Sequence, residues 1–418
     1  MDLSPTVAPG KRPPFSRTFQ ALRHHDFRLY WLALIVSLTG VAFQTVAQGW
    51  LVYRLTNSAL MLAVVGFIPA VLSAPASVVG GILADRFQRR KLITVTQALM
   101  VLPPTALSLL IWSGKVQVWH VIVASTLLGI VAAIDLPARA ALIPQMVGED
   151  DLLNAQGLSS MVYQVSRIVG PALAGLVIAA SGEALCFLLN GLSYGAMVVA
   201  LLFMHPGPDI PRPAGRRKGG LRGALLDGVS YTLKDPILLG LLIVLGAQGM
   251  FLSPYNTLLP VFAKDILHVD ARGFGGLGTA AGIGALISAF GIANMRQGRR
   301  GLWILGAALV IAPVMAAFAW SPWYVLSWPL LLMVGMGMVL ITTITGTIVL
   351  IIVPDEFRGR VNSLVVLIYL GAPFIGGLPV GYVAQYWGAP AALSLSAAVF
   401  FVSIVVLLFA IPQLRRLA

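Results

Sequence analysis

Twelve long apolar stretches constrain this chain more than any other feature. They run over about 29–52, 58–83, 92–112, 117–140, 155–180 and 184–205, then, after a polar break, over 237–262, 273–295, 301–320, 323–349, 361–386 and 388–411. Most match the ~20 residues an α-helix needs to cross the hydrocarbon core of a bilayer. Stretches this long exclude the ~10-residue alternating strands of a membrane barrel, and helices alone then satisfy their own backbone in lipid. Composition agrees, with 58% of residues hydrophobic, 10% charged and a mean hydropathy of +0.90. So few charges cannot coat a soluble globule of 418 residues, and so much apolar surface excludes a disordered chain. The expected fold is an all-α membrane protein with twelve transmembrane helices in two six-helix halves.

The net charge of +13 would suggest a nucleic-acid partner in a soluble protein. Here it marks loops, and no nucleic acid is expected. With the N-terminus inside, 23 of the 28 Lys and Arg fall on one side and 4 on the other, leaving Arg167 within a stretch. The positive-inside rule then places both termini in the cytoplasm of a plasma (inner) membrane protein. The expected organisation is a cytoplasmic segment 1–28, a first half 29–205, a cytoplasmic linker 206–236, a second half 237–411 and a tail 412–418. In the linker, Leu221, Leu225, Val229 and Leu233 recur every four residues. That stripe suits an amphipathic helix lying on the inner leaflet, with a solvated connector as the alternative. The one cysteine, Cys186, allows no internal disulfide and reads as packing.

The halves repeat. Gly170, Gly175 and Gly182 recur 206 positions later as Gly376, Gly381 and Gly388, and Glu149-Asp150 recurs as Asp355-Glu356. Two parallel six-helix repeats suit a secondary transporter with its site near the midplane between them.

The loop after the second stretch reads Gly81-Ile82-Leu83-Ala84-Asp85-Arg86-Phe87-Gln88-Arg89-Arg90-Lys91. It resembles the G-x-L-A-D-R-x-G-R-[RK] signature of the major facilitator superfamily, with Gln88 in place of a Gly. Gly170-Pro171-Ala172-Leu173-Ala174-Gly175 is similar to the G-P-x-x-G-G helix-packing motif of its exporters, with Ala174 in place of a Gly. Gln44–Tyr53, Asp135–Arg139 and Arg167–Pro171 look like the efflux branch that includes the enterobactin exporter and macrolide efflux pumps. The resemblance implies export of amphipathic small molecules, drug-like compounds or siderophores, by alternating access. It further implies a monomer in the lipid bilayer that needs no cofactor and is driven by a proton gradient. It also implies a cytoplasmic gate: Asp85 docks by Arg360–Ser363, near Asn362, while Arg86 lies in the signature loop and Arg89 approaches Asp135.

Arg167 is the sole basic residue in the middle of a stretch. A charge at the bilayer centre costs on the order of 2.5–3.5 kcal/mol on insertion scales, so it must face a wet cavity or a partner. Ser160, Gln164, Arg167 and Pro171 share one helical stripe, as do Ser37, Gly40, Gln44 and Gln48, and less neatly Gln248, Tyr255 and Asn256. Gln44, Gln48, Gln164, Arg167, Gln248 and Asn256 are the candidate substrate contacts. For Arg167 a structural cation, and for the amides helix-tying roles, stay open. Asp135 is the one carboxylate inside a stretch, near its cytoplasmic end, so either it is the proton site, or coupling is unusual, or the protein is a uniporter. Neither HExxH, GxSxG nor paired His is present, and there is no P-loop, which argues against an intramembrane enzyme and a built-in ATPase. A non-transporting receptor on the same fold is the remaining rival.

Overall fold

The computed structural model describes residues 18–205, 207, 220–295 and 300–413, and the side chains of 78, 85, 220–226 and 300 stand outside that set. Among the described residues, twelve helices are long and apolar enough to cross a membrane. Spans 1 to 6 are His25–Thr56, Ala59–Arg86, Arg89–Trp112, Val118–Val147, Leu152–Ser181 and Glu183–Phe203. Spans 7 to 12 are Pro236–Ile266, Ala271–Ala293, Arg300–Ala319, Tyr324–Ile352, Asp355–Trp387 and Ala389–Ala410. A linker helix, Gly220–Lys234, precedes span 7, and no strand occurs among the described residues. An even number of crossings puts the linker helix and both ends of the described chain at one end of the bundle, the linker end. The opposite end is the far end.

Short turns set where the helices start and stop. The Ser58 hydroxyl accepts from the Met61 N–H, Asp235 caps Ile237 and Leu238 ahead of Pro236, and Asp270 caps Arg272 and Gly273. Each such cap contributes about 1 kcal/mol. Gly182 and Gly388, with φ of 78° and 87°, make the equivalent far-end turns of the two halves, a backbone that side-chain-bearing residues resist.

The 206-residue repeat is a packing repeat. Gly170 of span 5 lies against Ala42 of span 1, and Gly376 of span 11 against the Met250 carbonyl of span 7. One step on, a Cβ at Gly175 would fall 2.5 Å from the Ala271 carbonyl of span 8, and one at Gly381 would fall 2.7 Å from Ala63 of span 2. Thus span 5 grips spans 1 and 8 as span 11 grips spans 7 and 2. Small residues permit this close approach where lipid gives no hydrophobic drive for association.

Some boundaries differ from the expected ones. Span 4 runs on to Val147, so Asp135 sits 12 residues inside it instead of near its end. Span 11 begins at Asp355, six residues earlier than its hydropathy suggests. The linker helix packs its Gly228 and Tyr231 side on span 11: Tyr231 stacks on Phe357 at 4.5 Å, and Arg360 pairs with Asp227 at 3.2 Å. Val229 and Leu233 of the expected stripe stay 40% and 63% exposed, while the side chains of Leu221 and Leu225 lie outside the described set.

Candidate functional site: a cavity between the halves

A cavity of about 490 Å³ lies between the halves, lined by spans 1, 2, 5, 7, 8 and 10. Its polar lining includes Gln48 of span 1, Arg167 of span 5, and Tyr255 and Asn256 of span 7. Phe274, Pro171 and Met338 supply apolar wall, and Gly278, Gly282 and Gly335 let spans 5, 8 and 10 pack closely around it, against Pro171, Ile168 and Ala281. The Arg167 backbone is seated firmly, because Gly282 of span 8 approaches the Ile168 backbone and the Arg167 carbonyl.

The far end of this cavity is closed. Trp50 stacks on Phe274 at 5.6 Å, and Gly49 lies beside Pro260. Above them the Tyr53 hydroxyl donates to Asp265, and the Lys264 ammonium donates to Asn57 at 2.7 Å while lying 5.3 Å from the Tyr53 ring. Both hydrogen bonds join span 1 of one half to span 7 of the other. A π-turn over Phe262–Ile266 carries Lys264 and Asp265, and such turns often mark functional sites.

Towards the linker end the facing spans become more exposed. Along span 2, Ala59, Leu62, Ala63, Val65 and Pro69 are buried in the far half, whereas between Val71 and Ile82 only Gly80, packed on Ala133 and Ile134 of span 4, is buried among the described side chains. Span 11 differs in degree: Ala372, Gly376, Gly377, Val380, Gly381 and Ala384 are buried in its far half, against Val361 and Leu364 in its linker half.

The six candidate contacts divide. Gln48, Arg167 and Asn256 meet at the cavity. Gln48 also accepts from Ser125 of span 4 at 2.9 Å. Gln44 is instead buried and bonded to Asn190 of span 6. Four residues advance a helix by about 40° beyond a full turn, enough to turn Gln44 toward span 6 and Gln48 toward the cavity. Gln248 is buried too, donating to the Met338 carbonyl at 2.9 Å and Thr342 at 3.1 Å. A π-turn over Gln248–Leu252 separates it from the part of span 7 that carries Asn256. Pro254 follows this turn without an N–H to give, and the Ser396 hydroxyl donates to the Phe251 carbonyl nearby. Gln164 is half-buried and does not line the cavity.

Asp135 and Arg139 form a buried pair, 4% and 8% exposed, in the first half. Asp135 also accepts from Thr96 at 2.6 Å and Gln97 at 3.0 Å, and Arg139 lies within hydrogen-bonding reach of Tyr30. Arg89 donates to the Ala141 carbonyl at 3.3 Å, six residues beyond Asp135 on the same span, a separation of about 9 Å along the axis. Arg90 caps the end of span 6 through the Leu201 carbonyl at 2.7 Å and the Leu202 carbonyl at 2.9 Å. Arg86 and Asn362 are exposed, and the Asp85 side chain lies outside the described set. Thus two of the signature loop's arginines bond to helix carbonyls, Arg89 within span 4 and Arg90 at the end of span 6. The far-end contacts Tyr53, Asn57, Lys264 and Asp265 escaped the sequence reading, since polar residues at a span end look like ordinary interface.

Twelve spans in two pseudo-symmetric halves around a central cavity make the major facilitator fold. Solved structures agree. One is a bacterial homologue of the human lysosomal transporter Spinster in an inward-facing, unoccupied conformation, with TM-score 0.73, 14% identity, and 94% of this chain and 97% of that one covered. Another is the nucleoside transporter NupG, with TM-score 0.70, 13% identity, and 93% and 98% covered. The chain matches the model of the transmembrane secretion effectors over residues 16–417, and it belongs to that family. It is 25% identical over 394 residues to the enterobactin exporter EntS of Shigella boydii serotype 18, covering 94% of this chain and 93% of that one. The same exporter of Escherichia coli O1:K1 is 24% identical at equal coverage. The chain is a multi-pass membrane transporter and not an enzyme.

Proposed function

We propose that this protein is a secondary active exporter of amphipathic small molecules, working as a monomer in the plasma (inner) membrane by alternating access. The linker end, with both termini, faces the cytoplasm, as the basic loops require. The observation that carries this reading is the central cavity between the halves, bounded at the far end by contacts between spans 1, 7 and 8, with the facing spans more exposed towards the linker end. Substrate enters from the cytoplasm and meets Gln48, Arg167 and Asn256. The linker end then closes, and the Tyr53–Asp265 and Lys264–Asn57 contacts part to release it outside. A proton gradient drives the cycle, with Asp135 as the carboxylate through which it acts. Its support is position: it is a carboxylate remote from both ends of its span.

Everted membrane vesicles test this reading with a panel of dyes, antibiotics and siderophores. Substrate should accumulate when the membrane is energised and leak back after a proton uncoupler, and Asp135→Asn should abolish the response to the gradient. Uptake that follows ATP and ignores the uncoupler would contradict it, as would no uptake of any compound.

A further inference from the structure

Resting on that export reading, we propose that the cavity selects organic anions: molecules with an oxyanion head held by Arg167 and a flat apolar body against Phe274. Arg167 is the one formally charged residue in the lining, and no carboxylate accompanies it. Among the described residues, Arg167 takes part in none of the ion pairs, whereas Arg54 has Glu183, Arg139 has Asp135 and Arg360 has Asp227. Arg139 differs: it is buried and has the Asp135 carboxylate beside it. Leaving Arg167 without one keeps an uncompensated cation at mid-membrane depth, a position that is costly and is occupied for function.

The neighbouring polar groups add donors. The Gln48 carbonyl oxygen already accepts from Ser125, so its NH₂ end is the end left for a ligand, beside the five N–H donors of a guanidinium. An oxyanion satisfies these donors together, and Arg binds such groups in a bidentate fork. A cationic ligand would meet like charge at Arg167, which disfavours it. The rest of the wall suits an apolar body. Phe274 is held by Trp50, stacked at an interplanar angle of 22°, and Pro171 and Met338 complete that side. The volume of about 490 Å³ falls within the range of drug-sized ligand sites.

Fluorescein and rhodamine 123 share a xanthene core and differ in charge, which makes them the probes. Binding to the purified full chain in detergent is read by fluorescence anisotropy, and transport by uptake into energised everted vesicles. The parent protein should bind fluorescein at least about tenfold more tightly than rhodamine 123, the scale of a hydrogen bond to a charged group. Arg167→Gln should remove that preference, Arg167→Lys should keep most of it, and Arg167→Glu should reverse it. Fluorescence size-exclusion profiles identify which variants are inserted and intact, and Arg167→Gln and Arg167→Lys suffice if the charge reversal misfolds. Equal binding of the two dyes by the parent, no binding of either, or a preference unchanged in Arg167→Gln overturns the anion assignment. Export itself is judged separately, by whether the wider panel moves against its gradient.

Discussion

The two ends of the bundle are built from the same helices but held in different ways. At the far end the halves touch through glycine faces, a stacked Trp50–Phe274 pair and two hydrogen bonds between spans 1 and 7. At the linker end the facing spans 2 and 11 are largely exposed, and each half is tied within itself. There Arg89 and Arg90 bond to carbonyls of spans 4 and 6, and the linker helix clasps span 11 through Asp227 and Tyr231. Rigid halves joined by a small polar contact zone can rock. A contact zone of this size holds one state without making it irreversible, since each hydrogen bond contributes only about 0.5–3 kcal/mol net.

The largest effect tests the rigidity on which the comparison depends. Asp135→Ala would leave Arg139 buried without its carboxylate, and breaking a buried pair this way costs about 3–5 kcal/mol. The melting temperature of the detergent-solubilised protein should fall clearly. An unchanged melt would mean the first half is not held by this network.

Gly175→Val comes next. A Cβ there would meet the Ala271 carbonyl, which is backbone and cannot swing aside, so overpacking should cost about 1–3 kcal/mol in the far-closed state. Far-end distances should lengthen and transport should fall about tenfold or more. Normal distances and normal transport would show that the glycine face is not needed for closure.

Asp265→Asn acts on the hydrogen bonds alone. Weakening the charged acceptor of Tyr53 should shift the population toward the far-open state several-fold, a change of about 1 kcal/mol. Tyr53→Phe should do the same, and the double variant should add little, because both remove one contact. Full additivity would place the two side chains in separate contacts.

The smallest effect is expected at the linker helix. Asp227→Asn removes a partly exposed ion pair, worth about 0–1 kcal/mol, and should leave transport within about twofold of the parent. A large loss would make the linker helix a mover and not a clasp.

These regions also differ in how well the sequence reveals them. The twelve spans and the parallel repeat are legible because a bilayer demands long apolar helices, and because Gly170, Gly175 and Gly182 keep their spacing in both halves. Arg167 was legible too, as a charge where lipid tolerates none. Gln44 and Gln248 were not. A stripe drawn at 3.6 residues per turn does not show which neighbour a buried amide meets: Asn190 for Gln44, and Met338 and Thr342 for Gln248. Asp135 looked close to a helix end because Arg139, the counter-charge that lets the helix continue inward, reads in sequence as the start of a loop.

Spin-label distances at both ends of one protein test the central claim most directly. In a Cys186→Ser background, one pair of cysteines at Gln88 and Glu356 reports the linker end, and a second pair at Leu55 and His268 reports the far end. Double electron–electron resonance is recorded with and without a transported compound and at two pH values. Alternating access predicts two populations at each end that change in opposite senses: conditions that shorten the linker-end distance lengthen the far-end distance. A single fixed distance at each end under every condition, or both distances lengthening together, would contradict it.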